Sequence, residues 1–169
     1  YIPITKEVMS EELSYLKKNT IYLGTVARLV EQKRIDLLID SFSCLKNKSK
    51  LKFKLVIIGD GILSEKLKRY AVEKKVSENI VWINKTNYVL EHMKKWDLFC
   101  LTSEYEGFGL VLLEAISASL PIVAMKTSSI KDIIGPCGIV VEHGNIKEYS
   151  STILNAVSYT HLRAHETSR

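Results

Sequence analysis

Residues 98–125 read LFCLTSEYEGFGLVLLEAISASLPIVAM. The first four residues form a short apolar run typical of a buried strand, and Ile122–Met125 form another. Between them lie a polar loop with two glycines and a mostly apolar helical segment that Pro121 ends. Apolar strands joined by a helix in this order favour parallel pairing in one sheet.

The same alternation extends over most of the chain. Apolar runs predict further strands at residues 21–27, 53–58, 80–83 and 139–141, and helical patterns occur at 35–45, 64–71, 89–95 and from 146. This order predicts an α/β domain with a parallel sheet covered on both faces. The loops at Arg28, Gly59 and Glu106 all follow strands, so we expect them at one edge of the sheet, where ligands bind in such folds.

Composition places the chain among ordinary globular domains. Of its 169 residues, 46% are hydrophobic and 25% are charged, which suffices for one domain with a core. The net charge of +5 fits an anionic ligand or a membrane surface, but the basic residues are not interleaved with aromatics as in nucleic-acid binders. Cys44, Cys100 and Cys137 form no Cys-x-x-Cys pair, which favours free thiols in a reducing, cytoplasmic compartment. No apolar run approaches the length of a membrane span.

The apolar helical segment carries a carboxylate, Glu114, in its middle. An unpaired buried carboxylate is very costly, so Glu114 must face solvent, a cation or a polar ligand. The loop before it supplies a place for that ligand, because its glycines allow close backbone approach and the helix start offers free N–H groups to an anion. Glu106, separated from Glu114 by seven residues, flanks the same turn. Two hydroxyl-accepting carboxylates beside an anion-binding turn suit a sugar nucleotide.

A second candidate constellation follows the first predicted strand. Arg28 and Lys33 lie on a loop that enters a helix, and a guanidinium with an ammonium group is a good clamp for a pyrophosphate. The alternative to a pyrophosphate clamp is that both residues are solvated cations on the surface. The turn Gly59-Asp60-Gly61 lacks the third glycine of a dinucleotide fingerprint, which speaks against an NAD-type site. His92, between charged neighbours on a predicted helix, is expected to be exposed, and no metal cluster is visible.

Three other segments give predictions about organisation. Five lysines alternate along residues 46–54 and form either a patch for anionic lipid headgroups or, as we favour, a solvated surface. Residues 1–20 are expected to be the end of a linker in a longer protein, since the chain starts at Tyr1 rather than Met. The helical pattern stops near Val157, so residues 158–169 are predicted to be an unstructured, non-native tail, despite the metal-ligand spacing of two histidines within it.

Taken together, residues 24–157 resemble the C-terminal domain of the retaining glycosyltransferases of family four, which have the two-domain GT-B fold. The resemblance is carried, in the family's order, by five segments: Gly24-x-x-x-Arg28-Leu-Val-Glu-Gln-Lys33, Val56-Ile-Ile-Gly-Asp-Gly61, Ser103-Glu-Tyr-Glu-Gly-Phe-Gly-Leu-Val-Leu-Leu-Glu-Ala115, Pro121-Ile-Val-Ala124 and Gly138-Ile-Val-Val141. It implies a Rossmann-like, doubly wound parallel sheet over residues 21–157, as the nucleotide-sugar-binding half of a GT-B enzyme.

The resemblance also implies roles at matching positions. Arg28, Lys33 and Glu106 would be the catalytic residues: the two cations would hold the donor's diphosphate and stabilise the leaving nucleoside diphosphate, and Glu106 would bind hydroxyls of the donor sugar. The backbone of Gly107, Phe108, Gly109 and Leu110 would contact sugar and phosphate, and Glu114 would accept the ribose hydroxyls. Fixed positive charge would stabilise the charge that develops, so no metal and no cofactor are expected.

Some residues depart from the family's pattern. Arg34 and Ser119 stand where the family often has glycine, and Ser128 and Ser129 replace a commonly glycine-rich turn near the donor sugar.

The resemblance implies further partners besides the nucleotide-sugar donor. The acceptor, a glycan or a lipid in cell-surface polysaccharide, lipopolysaccharide or glycolipid synthesis, would bind to an N-terminal domain, so this chain alone should transfer no sugar. The enzyme is expected in the cytoplasm, with peripheral contact at the inner face of the membrane and no nucleic-acid partner. Two alternatives stay open at this point: a nucleotide-sugar epimerase or phosphorylase on a related fold, and a non-catalytic nucleotide-binding module.

Overall fold

The computed structural model describes residues 6–106 and 109–166. Its strands are β1 (Ile21–Val26), β2 (Phe53–Ile58), β3 (Ile80–Ile83), β4 (Leu98–Leu101), β5 (Ile122–Met125) and β6 (Gly138–Val141). Its helices are α1 (Lys6–Glu12), α2 (Ile35–Lys48), α3 (Ser64–Glu73), α4 (Val89–Met93), α5 (Leu110–Ser117), α6 (Ile130–Ile134) and α7 (Ile146–Glu166). The six strands form one sheet in the order β3-β2-β1-β4-β5-β6, and every neighbouring pair is parallel. The predicted doubly wound, Rossmann-like α/β fold is confirmed.

Each face of the sheet carries its own hydrophobic core. On one face, alternate strand residues such as Leu23 and Leu55 pack with α2, α3 and α7. On the other, the intervening residues such as Tyr22 and Val56 pack with α4, α5 and α6. Since both faces are covered, the strands are apolar at consecutive positions, and this is why they read as continuous runs in the sequence.

Hydrogen bonds of the Tyr149 hydroxyl connect α7 to the sheet inside the core. Its side chain is completely buried, and its hydroxyl accepts a hydrogen bond from the Leu101 N–H at 3.0 Å and lies 2.7 Å from the carbonyl oxygen of Val123, to which it donates. Burial raises the pKa of Tyr149 well above its ordinary value, so the hydroxyl stays protonated as a donor. One phenol therefore satisfies polar groups of both β4 and β5.

We expect Tyr149→Phe to lower the free energy of unfolding by about 1–3 kcal/mol, because the Leu101 N–H loses its partner inside the core. Urea denaturation followed by circular dichroism measures the change. Tyr105→Phe is the matched control, because that side chain is 60% exposed and should change stability by less than about 0.5 kcal/mol. Equal stabilities of the two variants would contradict the anchoring role.

The prediction of an unstructured tail from residue 158 is wrong for residues 158–166, because α7 continues to Glu166. The segment contains no glycine or proline, and leucine, arginine, alanine and glutamate within it are good helix formers. Pattern reasoning also missed the short helix α6 and the 3-10 turns at Glu31–Lys33, Ser77–Asn79 and Gly135–Cys137. Such short elements carry too few residues for a periodic signal.

His92 was predicted to be exposed, and this is wrong: α4 turns its side chain inward, where it is fully buried. The lysines of residues 46–54 are partly tied to the domain itself. Lys46 donates to the Asn79 side chain, Lys48 to the Ser150 and Ser151 hydroxyls, and Lys54 to the Glu78 carbonyl oxygen. These bonds favour the structural interpretation of the lysine run over a lipid patch. Within residues 6–106 and 109–166, no helix combines the length and hydropathy needed to cross a membrane.

Candidate functional site

The strand order reverses between β1 and β4. The chain winds outward from β1 to β2 and β3, then returns to the other side of β1 with β4, so the loops after β1 and β4 leave the sheet in opposite directions and open a crevice between them. A cleft of about 520 Å³ lies there, which we call the switch-point cleft. It is lined by Val26, Ala27, Arg28, Gln32, Lys33, Glu106, Gly109, Leu110 and Val111. The structure thus brings the two predicted constellations together at the predicted edge.

An ion pair joins the two loops inside this cleft. Lys33 Nζ lies 2.7 Å from Glu106 Oε1, and the two side chains are only 17% and 7% exposed. The Ser103 hydroxyl donates to the same Oε1 at 2.5 Å. Both of these hydrogen bonds go to Oε1, and among the described residues none goes to Oε2.

Further hydrogen bonds fix the two loops in register. The Gln32 amide donates to the Tyr105 carbonyl oxygen, the Glu104 N–H donates to the Gln32 carbonyl oxygen, and the Thr102 hydroxyl donates to the Lys33 carbonyl oxygen. The spacing between Lys33 and Glu106 is therefore set by hydrogen bonds to main-chain carbonyl groups of both loops.

Arg34 adds a clamp at the outer end of the same loops. It has φ +46°, in the left-handed region that favours glycine, the residue that the family resemblance implies at this position. Its guanidinium pairs with Asp36 and with Glu104, each at 2.9 Å, and these hydrogen bonds raise the pKa of Arg34. Burial acts to raise the pKa of Asp36, but the hydrogen bonds and charge of Arg34 outweigh it and hold that pKa below its ordinary value.

A second cleft adjoins the first. It has a volume of about 310 Å³ and lies over the ends of β1, β2 and β3, and we call it the β3-side cleft. Its lining is Val26, Ala27, Arg28, Ile58, Gly59, Asp60, Asn84, Lys85, Thr86 and Val89. Val26, Ala27 and Arg28 line both clefts, so Arg28 stands on their shared wall. Its side chain is exposed and has no ion-pair partner within the described chain.

Gly59 keeps the β3-side cleft open at its floor. It has φ +140°, and a Cβ atom there would lie 1.9 Å from the carbonyl oxygen of Ala27. Only glycine permits this close approach of the loops after β1 and β2. The turn that sequence analysis rejected as a dinucleotide fingerprint is thus a packing requirement of this edge.

Helix α5 begins at the mouth of the switch-point cleft. Gly109 precedes it with φ +59°, and no side chain of the described residues caps its first turn. The Leu112 N–H donates to the Gly109 carbonyl oxygen at 2.8 Å, while the N–H groups of Leu110 and Val111 take no partner among the described residues. Leu110 is 69% exposed and lines the cleft, and Glu114 lies one turn further on the same helix face. Glu114 is exposed, as expected, and has no ion-pair partner within the described chain, but it lines neither cleft directly.

Two predicted site residues, Gly107 and Phe108, lie outside the described residues. The Ser129 hydroxyl donates to the Glu106 carbonyl oxygen at 3.3 Å, which brings this serine turn beside the cleft. Sequence reasoning missed Gln32, Thr102 and Ser103 as structural partners of the site. A signal for two of them was present, since Thr102 and Ser103 directly follow the end of a buried strand at the ligand edge.

A third, larger cleft of about 560 Å³ lies between the starts of α2 and α3. Its charged lining residues are the carboxylates Glu31, Asp36, Glu73 and Glu104 and the cations Arg34, Lys66 and Arg69. Since carboxylates outnumber cations, it is a poor site for a phosphate, and the candidate site is the pair of clefts beside Arg28. Among the described residues, no group of three or more histidine, cysteine, aspartate or glutamate side chains is placed to hold a metal ion.

Comparison with known proteins gives a family match. A model of the family described as glycosyl transferases group 1 matches residues 9–166. The lipopolysaccharide 1,6-galactosyltransferase of Escherichia coli K12 is 34% identical over 142 residues, covering 80% of this chain and 38% of that protein. The amylovoran biosynthesis glycosyltransferase AmsD of Erwinia amylovora is 32% identical over 148 residues, covering 85% of this chain and 39% of that protein.

A solved structure gives the same picture at the level of the fold. The crystal structure of a TarM variant of S. aureus, in complex with fondaparinux, alpha-GlcNAc-glycerol and UDP, superimposes with a TM-score of 0.76 and 27% identity. The superposition covers 84% of this chain and 30% of that one. The chain thus spans about two fifths of the length of the curated relatives described above.

Proposed function

Because this chain belongs to the group 1 glycosyl transferases, we propose that it is the donor-binding domain of a retaining enzyme that transfers a hexose from a nucleoside-diphosphate sugar. The observation that carries the proposal is Arg28, an exposed guanidinium without an ion-pair partner in the described chain, on the wall shared by two clefts. A diphosphate centred on Arg28 would place the sugar in one cleft and the nucleoside in the other.

The diphosphate is held by positive charge on one side and by main-chain donors on the other. Arg28 offers a fork of N–H donors, and Lys33 lies on the same loop within the switch-point cleft. The uncapped start of α5 faces the same cleft and favours negative charge. As the glycosidic bond breaks, negative charge grows on the leaving diphosphate, and these fixed donors stabilise it without reorganisation. In this proposal they act in place of a divalent metal.

Glu106 binds the donor sugar. Lys33 and Ser103 hold its Oε1, which leaves Oε2 to accept a hydrogen bond from a sugar hydroxyl. Because Glu106 contacts the sugar and Lys33 contacts the diphosphate, the ion pair between them also fixes the position of the sugar relative to the diphosphate. The backbone of Gly107, Phe108, Gly109 and Leu110 completes the sugar and phosphate contacts in this proposal.

The nucleoside occupies the β3-side cleft. Its walls are mostly apolar, which suits the faces of a base, while Asn84 and Lys85 bring polar groups to its rim. Glu114 reaches the ribose hydroxyls from the face of α5 that it shares with Leu110.

The acceptor is a glycan or a lipid of cell-surface polysaccharide, lipopolysaccharide or glycolipid synthesis. Support comes from the relatives whose names give lipopolysaccharide or amylovoran synthesis. Since this chain spans about two fifths of those proteins, we propose that the acceptor binds elsewhere in the whole enzyme and that this chain alone transfers no sugar. We further propose a cytoplasmic enzyme with peripheral contact at the inner face of the membrane.

We expect calorimetric titration of the chain with UDP, GDP and ADP to show saturable binding of one nucleotide. Arg28→Ala and Glu114→Ala should each weaken it by at least about tenfold, because each removes a charge-assisted hydrogen bond worth about 1.5–3 kcal/mol. Titration with the matching sugar conjugates then identifies the donor.

Arg69→Ala is the matched control for the lost arginine charge. Arg69 is exposed and lies on the third cleft, so its removal should leave nucleotide affinity within about twofold of the wild type. A folded chain that binds none of the nucleotides, or an equal loss in Arg28→Ala and Arg69→Ala, would refute the proposal.

A further inference from the structure

Hydrogen bonds between polar side chains join α1 to α4 around a buried histidine. This network consists of Glu12, Tyr15, Thr86, His92 and Trp96, and we call it the His92 network. His92 is completely buried, and its ring stacks on that of Tyr15 at 5.7 Å between centroids with 8° between planes. Apart from Thr86, which lines the β3-side cleft, the mechanism proposed above uses none of these side chains.

The hydrogen bonds of the network run in one consistent direction. Trp96 Nε1–H donates to the Tyr15 hydroxyl at 3.2 Å, and that hydroxyl lies 3.0 Å from His92 Nδ1, to which it donates. His92 Nε2 lies 3.0 Å from Glu12 Oε2, which also accepts the Thr86 hydroxyl at 3.2 Å. With a proton on Nε2 the His92 ring donates to Glu12, and Nδ1 accepts from the Tyr15 hydroxyl; we assign this arrangement from the network.

The far end of the network is a loop of the β3-side cleft. The Thr86 hydroxyl accepts the Tyr88 N–H at 3.0 Å while donating to Glu12. Asn84, Lys85 and Thr86 line the cleft itself. Within the described chain, residues 84–87 enter no backbone–backbone hydrogen bond, so Thr86 is the point at which this loop is fastened.

We propose that Glu12 and His92 act as positioning residues, a brace that holds residues 84–88 in the conformation that lines the nucleoside cleft. The proposal rests on the proposed function for the identity of the ligand, a nucleoside diphosphate. It assigns to α1, which precedes the first strand, control over the part of the site that contacts the base. Arg28 and Lys33 lie on another loop, so the brace acts on the nucleoside and not on the diphosphate.

The main test therefore compares the binding of a nucleoside diphosphate with that of inorganic pyrophosphate. Glu12→Ala should weaken nucleoside diphosphate binding by roughly tenfold, because the loop must then be ordered by the ligand, while inorganic pyrophosphate should bind as it does to the wild type. Glu12→Gln should restore nucleotide binding, since its amide oxygen can still accept from His92 and Thr86. Glu11→Ala, an exposed position of the same N-terminal segment, is the matched control.

Hydrogen exchange of the Tyr88 N–H, which donates to the Thr86 hydroxyl, supplies a readout that needs no ligand. Glu12→Ala should speed exchange of this N–H by at least about tenfold over Glu11→Ala, with β1 and β4 unchanged. If Glu12→Ala fails to fold, Glu12→Leu takes its place, because leucine fills much of the same space and cannot accept a hydrogen bond from Thr86 or His92.

The outcomes separate the two proposals. A wild-type chain that binds no nucleotide refutes the proposed function, while faster exchange of the Tyr88 N–H in Glu12→Ala would still support the brace. Unchanged exchange overturns the brace, as does an equal loss of affinity for nucleotide and pyrophosphate.

Discussion

Gly24→Ala is expected to cost about 3 kcal/mol or more of the free energy of unfolding, a large part of the stability of a domain of this size. Gly24 lies in the central strand β1, and a Cβ atom there would fall 1.9 Å from Cε3 and 2.2 Å from Cδ2 of Trp96. The indole is 6% exposed and donates to the Tyr15 hydroxyl, so it cannot move aside without breaking that bond. Urea denaturation followed by circular dichroism measures the loss.

Gly144→Ala is the control that separates steric overlap from backbone strain. Gly144 has φ +78°, and among the described residues a Cβ atom there would meet no neighbour within 4 Å. Alanine at this position should therefore cost only about 1 kcal/mol for its left-handed conformation. Trp96→Leu in the Gly24→Ala background should recover part of the lost stability, because it removes the overlapping ring. Equal stabilities of Gly24→Ala and Gly144→Ala would show that β1 can yield at this point.

The second large effect is expected from Lys33→Met. This change leaves the Glu106 carboxylate, only 7% exposed, with the Ser103 hydroxyl as its remaining described partner. Loss of one partner of such a buried pair should lower the free energy of unfolding by about 3 kcal/mol at neutral pH. Chemical denaturation of the variant and the wild type measures the difference.

The double variant Lys33→Met/Glu106→Gln decides whether the pair or the single charge is responsible. It carries no unpaired charge, so it should regain most of the stability that Lys33→Met loses, and the cycle should give a coupling energy of about 1 kcal/mol or more. The affinity of the double variant for the nucleoside diphosphate should remain below that of the wild type, because it lacks the Lys33 ammonium group. Additive losses in the two single variants would place the pair among exposed ion pairs of little worth.

Two residues other than glycine adopt positive φ at positions where the family resemblance implies glycine. They are Arg34, with φ +46°, and Ser119, with φ +57°. The sequence showed the departure but not its reason. The reason at Arg34 is visible only in three dimensions, since its ion pairs with Asp36 and Glu104 hold a conformation that a non-glycine residue otherwise avoids.

One part of the candidate site could be predicted from the sequence, and another part depended on the tertiary structure. Predicting that Arg28, Gly59 and Glu106 share one edge needed only the alternation of strands and helices, because the carboxyl ends of parallel strands meet there. The Lys33–Glu106 pair could not be predicted, because it joins loops more than seventy residues apart and depends on the order of strands in the sheet.

His92 shows the limit of local pattern. Charged neighbours in the chain made it look exposed, but its side chain is buried against Glu12, which lies 3.0 Å from its Nε2, and Tyr15, which stacks on its ring. The apolar runs and their spacing by themselves determined the α/β class, the parallel sheet and the edge that carries the site, since these follow from local periodicity. Only the tertiary structure decided which charges pair, which glycines are obligatory and which segment braces the β3-side cleft, because those depend on contacts between residues far apart in sequence.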